Sequence, residues 1–349
     1  MNHVKETTFV GTTPGLEGVL AEELDELGFP GEPTSGGVTI EGPQGTYRLI
    51  NLWSRIASRV LLRVAEVGTP SELRKLRLSD YGAEFEIDAF GVDPGKWGGV
   101  LSSTPGAPKL LLRGTKQGCQ VSLDTSGELL HFRGYRQEVG RAPMRETLAA
   151  GVLRLTQWKP DEPLWDVMCG SGTLIIEAAE SALGLAPGRN RQFAFEKFPA
   201  HDEKAWRALP REKPGVKPNI TGSDLNAGAL GTARRNAKRA GVLESLKLER
   251  LDATKLVSRG ESGLVIGNLP YGKRVGERDE LGKLYRSLGK SLTRACPHWY
   301  FGFLLQEGVE HLGLTIAERH RVSNGGLDCD VVLGQVGSSE LPDEARSQG

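Results

Sequence analysis

The spacing of apolar and polar positions changes rhythm along the chain, and each change predicts a different layer of structure. Near the start, a short apolar strand begins at Phe9 and a Thr-Pro-Gly turn follows at 13–15. Residues 16–24 (LEGVLAEEL) then place apolar side chains at helical intervals. Gly36 and Gly37 break that pattern before a short strand at 38–40, and 47–67 returns to helix-like spacing that ends in a strand. Within that stretch Arg55, Arg59 and Arg63 recur every four residues, which on a helix would form one basic face. Residues 1–67 therefore read as an α+β unit. Between 68 and 136 the texture becomes short strands, at 84–90, 110–112 and 120–124, separated by turns rich in Gly, Pro and Ser, with a loop at 93–108.

A second rhythm takes over after the connecting helix expected within 137–160. Apolar strands at 164–168, 220–224 and 264–267 are each followed by a helical stretch, at 173–183, 227–240 and 281–295. Strand and helix in strict alternation imply a parallel, doubly wound sheet over 161–337. The polar residues 338–349 read as a disordered tail. No internal repeat is present.

Length and charge narrow the class. At 349 residues the chain is long enough for two or three units with separate cores. Its 44 basic and 44 acidic residues balance, so any nucleic-acid surface has to be local. No apolar run is long enough to span a bilayer, and no apolar stretch follows a positive one at the N-terminus. A cytoplasmic protein without a membrane partner or an obligate protein partner is expected. Cys119, Cys169, Cys296 and Cys329 are scattered with no CxxC pair, and the six histidines show no ligand spacing. Neither a metal site nor a disulfide framework is expected.

Candidate chemistry gathers at the strand ends of the second region. Asp166-Val167-Met168-Cys169-Gly170-Ser171-Gly172-Thr173 runs from a strand through a GxG turn into a helix, where glycines let a ligand approach the backbone. A plain tight turn accounts for this segment equally well on its own. Ile175 stands where the dinucleotide fingerprint has its third glycine, which counts against an NAD enzyme. Asp224 ends the next strand and could accept both ribose hydroxyls of a nucleoside cofactor, or simply cap the helix that follows. Asp252 could meet an adenine amino group, or be a loop residue. One adenosyl ligand would span all three strand ends.

The fourth strand end carries Asn268-Leu269-Pro270-Tyr271-Gly272. The lone pair of an exocyclic base amine is delocalised into the ring, so a catalyst has to accept its hydrogens and let the nitrogen pyramidalise. The Asn268 side-chain oxygen and a backbone carbonyl near Pro270 are suited to that, and Tyr271 can stack on the base. Such catalysis works through orientation and electrostatics, after flipping of a paired base.

These segments carry a family resemblance. Residues 166–179 resemble the cofactor motif of the THUMP-domain guanine-N2 RNA methyltransferases, and Asn268 to Gly272 resembles their [N/D]PP[Y/F] motif. The stretches 9–27, 124–136, 142–150 and the hairpin 324–329 are similar to the family as well, as is the insertion containing 189–195. The resemblance implies a class I S-adenosylmethionine-dependent methyltransferase fold, Rossmann-like with a seven-stranded sheet, behind a ferredoxin-like N-terminal part and a reduced THUMP-like part. It implies S-adenosylmethionine as cofactor, lined by Asp166, Cys169, Gly170, Ser171, Gly172, Thr173, Asp224, Leu225, Asp252 and Asn268, with Asn268, Pro270 and Tyr271 catalytic. Cys169 reads as a small filler of the turn, and His131 as a packed strand residue.

The implied reaction is methylation of guanine N2 in structured RNA, with ribosomal RNA of the large subunit placed first. Leu269 stands where the family motif has its first proline, which keeps transfer RNA open as the substrate. N6-adenine methylation and a catalytically silent RNA-binding factor stay open on the same residues. Arg133, Arg136, Arg141, Arg145, Lys273 and Arg274 flank the expected cleft and are the candidate RNA contacts.

Overall fold

A computed structural model describes residues 5–93, 97, 103–137, 144–271 and 275–337, with the backbone alone for 275–278. The chain divides into two compact units, Met1–Arg133 with Ala186–Arg211, and Gly134–Leu185 with Glu212–Gly349.

The first unit opens as β1 (Lys5–Gly11), α1 (Glu17–Glu26), β2 (Gly31–Thr34), β3 (Gly37–Pro43), α2 (Thr46–Trp53) and β4 (Arg59–Val67), a ferredoxin-like βαββαβ order. After the short α3 (Pro70–Leu73) come β5 (Glu86–Phe90), β6 (Lys109–Gly114) and β7 (Cys119–Asp124). All seven strands form one sheet in the order β2-β3-β1-β4-β7-β6-β5, because β7 pairs with β4 across the boundary expected at 67/68. The insertion Ala186–Arg211 packs here through aromatic rings: Phe195 lies 5.5 Å from the Tyr47 ring and 5.0 Å from Trp206, edge-on to both.

Arg59 and Arg63 sit on a strand, not on the helix that their spacing suggested. A four-residue repeat also satisfies the two-residue period of a strand, and Val60 and Leu62 between them are buried. Arg59 pairs with the buried Asp124 at 3.0 Å, and Arg63 lies over the Phe9 ring at 5.2 Å, so neither is a freely solvated cation.

The second unit alternates as the pattern predicts. Helix α4 (Glu146–Leu155) leads to β8 (Leu164–Asp166) and α5 (Thr173–Ala182). In the inserted segment lies α6 (Glu203–Ala208), after which β9 (Ile220–Asp224), α7 (Ala227–Ala240), β10 (Leu246–Arg250), β11 (Leu264–Asn268), α8 (Val275–Ala295) and β12 (Tyr300–Leu305) follow. The chain closes with the hairpin β13 (Glu318–Asn324) and β14 (Leu327–Gln335).

The seven-stranded order β10-β9-β8-β11-β12-β14-β13 is parallel through β12 and antiparallel at the final hairpin. This is the class I methyltransferase sheet. Trp165, Val265, Phe301 and Phe303 from the sheet pack with Tyr285, Leu288 and Leu292 of α8 in one continuous core. Each such side chain contributes about 1.5–3 kcal/mol on burial. The connection order reverses between β8 and β11, and that reversal puts a crevice at their carboxyl ends.

Helix α8 is packed so closely that one glycine decides its seat. A Cβ at Gly289 would overlap the backbone carbonyl of Leu312, whereas one at Gly18 in α1 would meet nothing within 4 Å. Gly289→Ala is therefore expected to destabilise by about 2 kcal/mol through overpacking. Gly18→Ala is expected to stabilise by about 0.5–1 kcal/mol, the ordinary helical gain. Thermal unfolding followed by circular dichroism reads both, and equal signs would contradict this packing.

Candidate cofactor and catalytic site

Strand β8 ends in Asp166, and the chain then turns through Val167–Gly172 into α5. Backbone and side-chain groups of the neighbouring strand hold this turn. The Cys169 N–H donates to the Ser223 carbonyl at 2.9 Å, and the Gly170 N–H donates to Asp224 Oδ2 at 2.9 Å. Asn236 of α7, fully buried, donates from Nδ2 to the Ser171 carbonyl at 3.1 Å. Gly170 (φ +53°) and Gly172 (φ +87°) both take left-handed conformations that a side chain would strain.

Asp224 is not the cap of the next helix. Asn226 fills that role, with Oδ1 accepting from the N–H groups of Gly228 (2.8 Å) and Ala229 (3.3 Å). Asp224 spends one bond of each oxygen on protein, Oδ2 on Gly170 and Oδ1 on Asn226 N–H at 2.8 Å. Each oxygen keeps a second lone pair for a hydroxyl ligand. Asp252 accepts from the Thr254 N–H (2.9 Å) and hydroxyl (2.7 Å), both through Oδ1, and these bonds hold its carboxyl below the usual range.

These strand ends enclose a cleft of about 360 Å³. Of the expected cofactor residues, Asp166, Cys169, Gly170, Ser171, Thr173, Asp224, Leu225, Asp252 and Asn268 line it, as does Pro270. Gly172 does not: it faces α7, where a Cβ would stand 3.1 Å from that of Ala233. Its absent side chain serves helix packing, whereas a Cβ at Gly170 would project where no protein atom lies within 4 Å. That open backbone, with three acidic side chains lining the same cleft, fits a cationic nucleoside cofactor. Val167, Met168, Ala253, Met144, Leu174 and Leu284 complete the wall, and of these Leu284 carries no motif that would have marked it in the sequence. Cys169 is buried and its thiol is pushed well above the usual range by that burial, as suits a filler of the turn.

The segment that begins at Asn268 leaves β11 beside this cleft. Asn268 Oδ1 is a buried atom. The Leu269 N–H donates to the Leu304 carbonyl at 2.9 Å, and Leu269 itself is fully buried where the family motif has a proline. Tyr285 of α8 donates its hydroxyl to the Pro270 carbonyl at 2.8 Å, and Asn324 Nδ2 donates to the Tyr271 hydroxyl at 2.8 Å. Tyr285 and Asn324 were not among the residues singled out for chemistry.

The basic residues divide sharply. Arg133 is buried (3% exposed), with its guanidinium donating to the carbonyls of Leu130 at 2.7 Å and of Arg55. Arg136 is spent on Glu146 (3.0 Å) and on the Met144 carbonyl (2.6 Å), with its side chain 9% exposed. Neither is available to a phosphate, because turning them outward would strand buried carbonyls and a buried carboxylate. Their place as RNA contacts is corrected to a structural one. Arg145 is exposed, whereas Arg141, Lys273 and Arg274 lie outside the described residues. No group of three His, Cys, Asp or Glu side chains among the described residues could hold a metal ion, and no described helix is long and apolar enough to cross a membrane.

Asp166 is the most perturbed acid of the cleft. Burial, moderated by the Met168 N–H at 3.1 Å and reinforced by the charge of Asp224, pushes its carboxyl up to about 8. A carboxyl raised on folding is protonated in both states below its ordinary 3.8, so its contribution to stability is intact there and is lost as pH rises toward 8. Asp166→Asn is thus expected to raise the melting temperature most at pH 9, progressively less toward pH 5, and little only below pH 4. A cationic cofactor favours the ionised form. The affinity of the wild-type protein for S-adenosylmethionine should therefore fall by up to about tenfold per unit as pH drops below 8, and Asp166→Asn should abolish that slope. Calorimetric titration from pH 6 to 9 reads the effect, and a flat wild-type profile would refute it.

Comparison with known proteins agrees with this architecture. Residues 133–312 match the RMKL-like methyltransferase domain, and residues 7–61 match the RlmL ferredoxin-like domain. The ribosomal RNA large subunit methyltransferase K/L of Marinobacter nauticus is 33% identical over 98% of this chain and 54% of its own length. The chain spans about half the length of the K/L relatives it matches. Protein slr0064 of Synechocystis sp., provisionally named an RNA methyltransferase, is 30% identical over 93% of this chain and 95% of its own. Among solved structures, SMU.472 complexed with SAH superposes with a TM-score of 0.86 at 26% identity, over 97% of this chain and 100% of that one. With a family domain matched over more than half its length and a ferredoxin-like domain ahead of it, the chain belongs to the RMKL-like methyltransferase family.

Proposed function

We propose that this protein transfers a methyl group from S-adenosylmethionine to the exocyclic N2 of guanine in large-subunit ribosomal RNA. The observation that carries this reading is that Asn268 and Pro270 line the same cleft as Asp166, Asp224 and Asp252. Cofactor groups and amine acceptors thus share one wall. When bound, the cofactor supplies an electrophilic methyl on a cationic sulfur.

The protein's own residues do the rest. Asp224 offers its remaining lone pairs to the ribose hydroxyls, and Asp252 offers Oδ2 to the adenine amino group. Gly170 leaves its backbone bare for close approach. Asn268 accepts one hydrogen of the guanine amine. The second acceptor is the Pro270 carbonyl, which lies in the segment lining the cleft and keeps a second lone pair beside the bond from Tyr285. Both acceptors draw positive charge toward the amine hydrogens as the N2 lone pair turns out of the ring. They do so in a site whose dipoles are already aligned. Tyr271 holds the base by its ring face. The names of the K/L relatives support ribosomal RNA as the substrate, and the ferredoxin-like domain supports RNA over a free nucleotide.

With methyl-labelled cofactor and separated ribosomal and transfer RNA, N2-methylguanosine is expected in the ribosomal fraction by mass spectrometry of nucleosides. N6-methyladenosine alone would transfer the assignment to adenine, label in transfer RNA alone would change the substrate, and no label in either would leave a silent binding protein. Asn268→Ala is expected to lower turnover by about 10²–10³-fold, far more than it weakens cofactor binding. Full activity in that variant would remove Asn268 from the mechanism.

A further inference from the structure

Residues 324–329 of the hairpin β13–β14 resemble the family in sequence, yet nothing in cofactor binding or amine activation uses them. Their role lies in one contact. Asn324, the last residue of β13 and 5% exposed, donates from Nδ2 to the Tyr271 hydroxyl at 2.8 Å, across 53 residues of chain. The phenol oxygen accepts from Asn324. From the opposite element, Tyr285 of α8 holds the Pro270 carbonyl at 2.8 Å. The catalytic segment is thus tied at two consecutive residues to two separate elements.

We infer that Asn324 is a positioning residue for methyl transfer: by anchoring the hydroxyl it fixes the Tyr271 ring as a platform for the target base. Fixing the far end of the ring sets χ1, and a platform already in one rotamer need not be ordered when the base arrives. This rests on the base-methylation reading.

A double-mutant cycle tests it, together with a measurement that needs no activity. Asn324→Ala and Tyr271→Phe are each expected to lower turnover about tenfold, the worth of one hydrogen bond, with unchanged cofactor affinity. The double variant should lose no more than either single one, since both remove the same anchor. Tyr271→Ala, which removes the ring, should lose far more. In protein with ring-labelled tyrosine, Asn324→Ala should shift or broaden the Tyr271 resonance. Asn324→Ser carries the same expectation and serves if alanine unfolds the hairpin. A double variant that loses the product of the two single effects would overturn the inference, as would an unaltered Tyr271 resonance. Absence of base methylation by the wild-type protein would instead sink the reading of function, while the resonance would still test the anchor.

Discussion

The cleft depends on a carboxylate reaching from one strand to the turn of the next. Gly170 and Gly172 bend the backbone into left-handed conformations, and such a turn has no intrinsic reason to stay open. The bond from the Gly170 N–H to Asp224 Oδ2 supplies that reason, and it does so at the end of the strand beside β8. Asn236 secures the next peptide through the Ser171 carbonyl, and Ala233 receives the bare face of Gly172. Turn, strand and helix therefore settle together.

The three acidic residues around this turn are alike in type and different in state. Asp166 is buried and held toward its neutral form, Asp224 is half engaged in architecture, and Asp252 is kept ionised by Thr254. A cationic nucleoside meets a graded set of acceptors rather than a uniform negative patch. Two arginines show the converse economy. Arg133 and Arg136 satisfy carbonyls and a buried carboxylate, so basic character in the sequence becomes internal cross-linking.

Much of this was legible in the chain. Alternating apolar runs and helical stretches after residue 160 implied the doubly wound sheet, and its strand ends marked Asp166, Asp224, Asp252 and Asn268, which share one cleft. Those signals are local: a strand, a turn and a helix are written in adjacent residues. The basic face expected of Arg55, Arg59 and Arg63 failed because a four-residue repeat fits a strand as well as a helix, and burial of Val60 and Leu62 chose between them. The role expected of Arg133 and Arg136 failed because nothing in a sequence says whether an arginine meets solvent or a buried carbonyl.

By itself, then, the sequence determined the class of fold, the strand ends that bear polar groups, and the chemistry that such groups can perform. Only the tertiary structure decided that Gly172 serves packing and Gly170 the cleft, that Asn226 rather than Asp224 caps a helix, and that Asn324 meets Tyr271. The reason is physical. Side-chain periodicity follows from backbone geometry within a few residues, whereas contacts across tens of residues follow from the order β10-β9-β8-β11-β12-β14-β13, which brings distant strand ends to one edge.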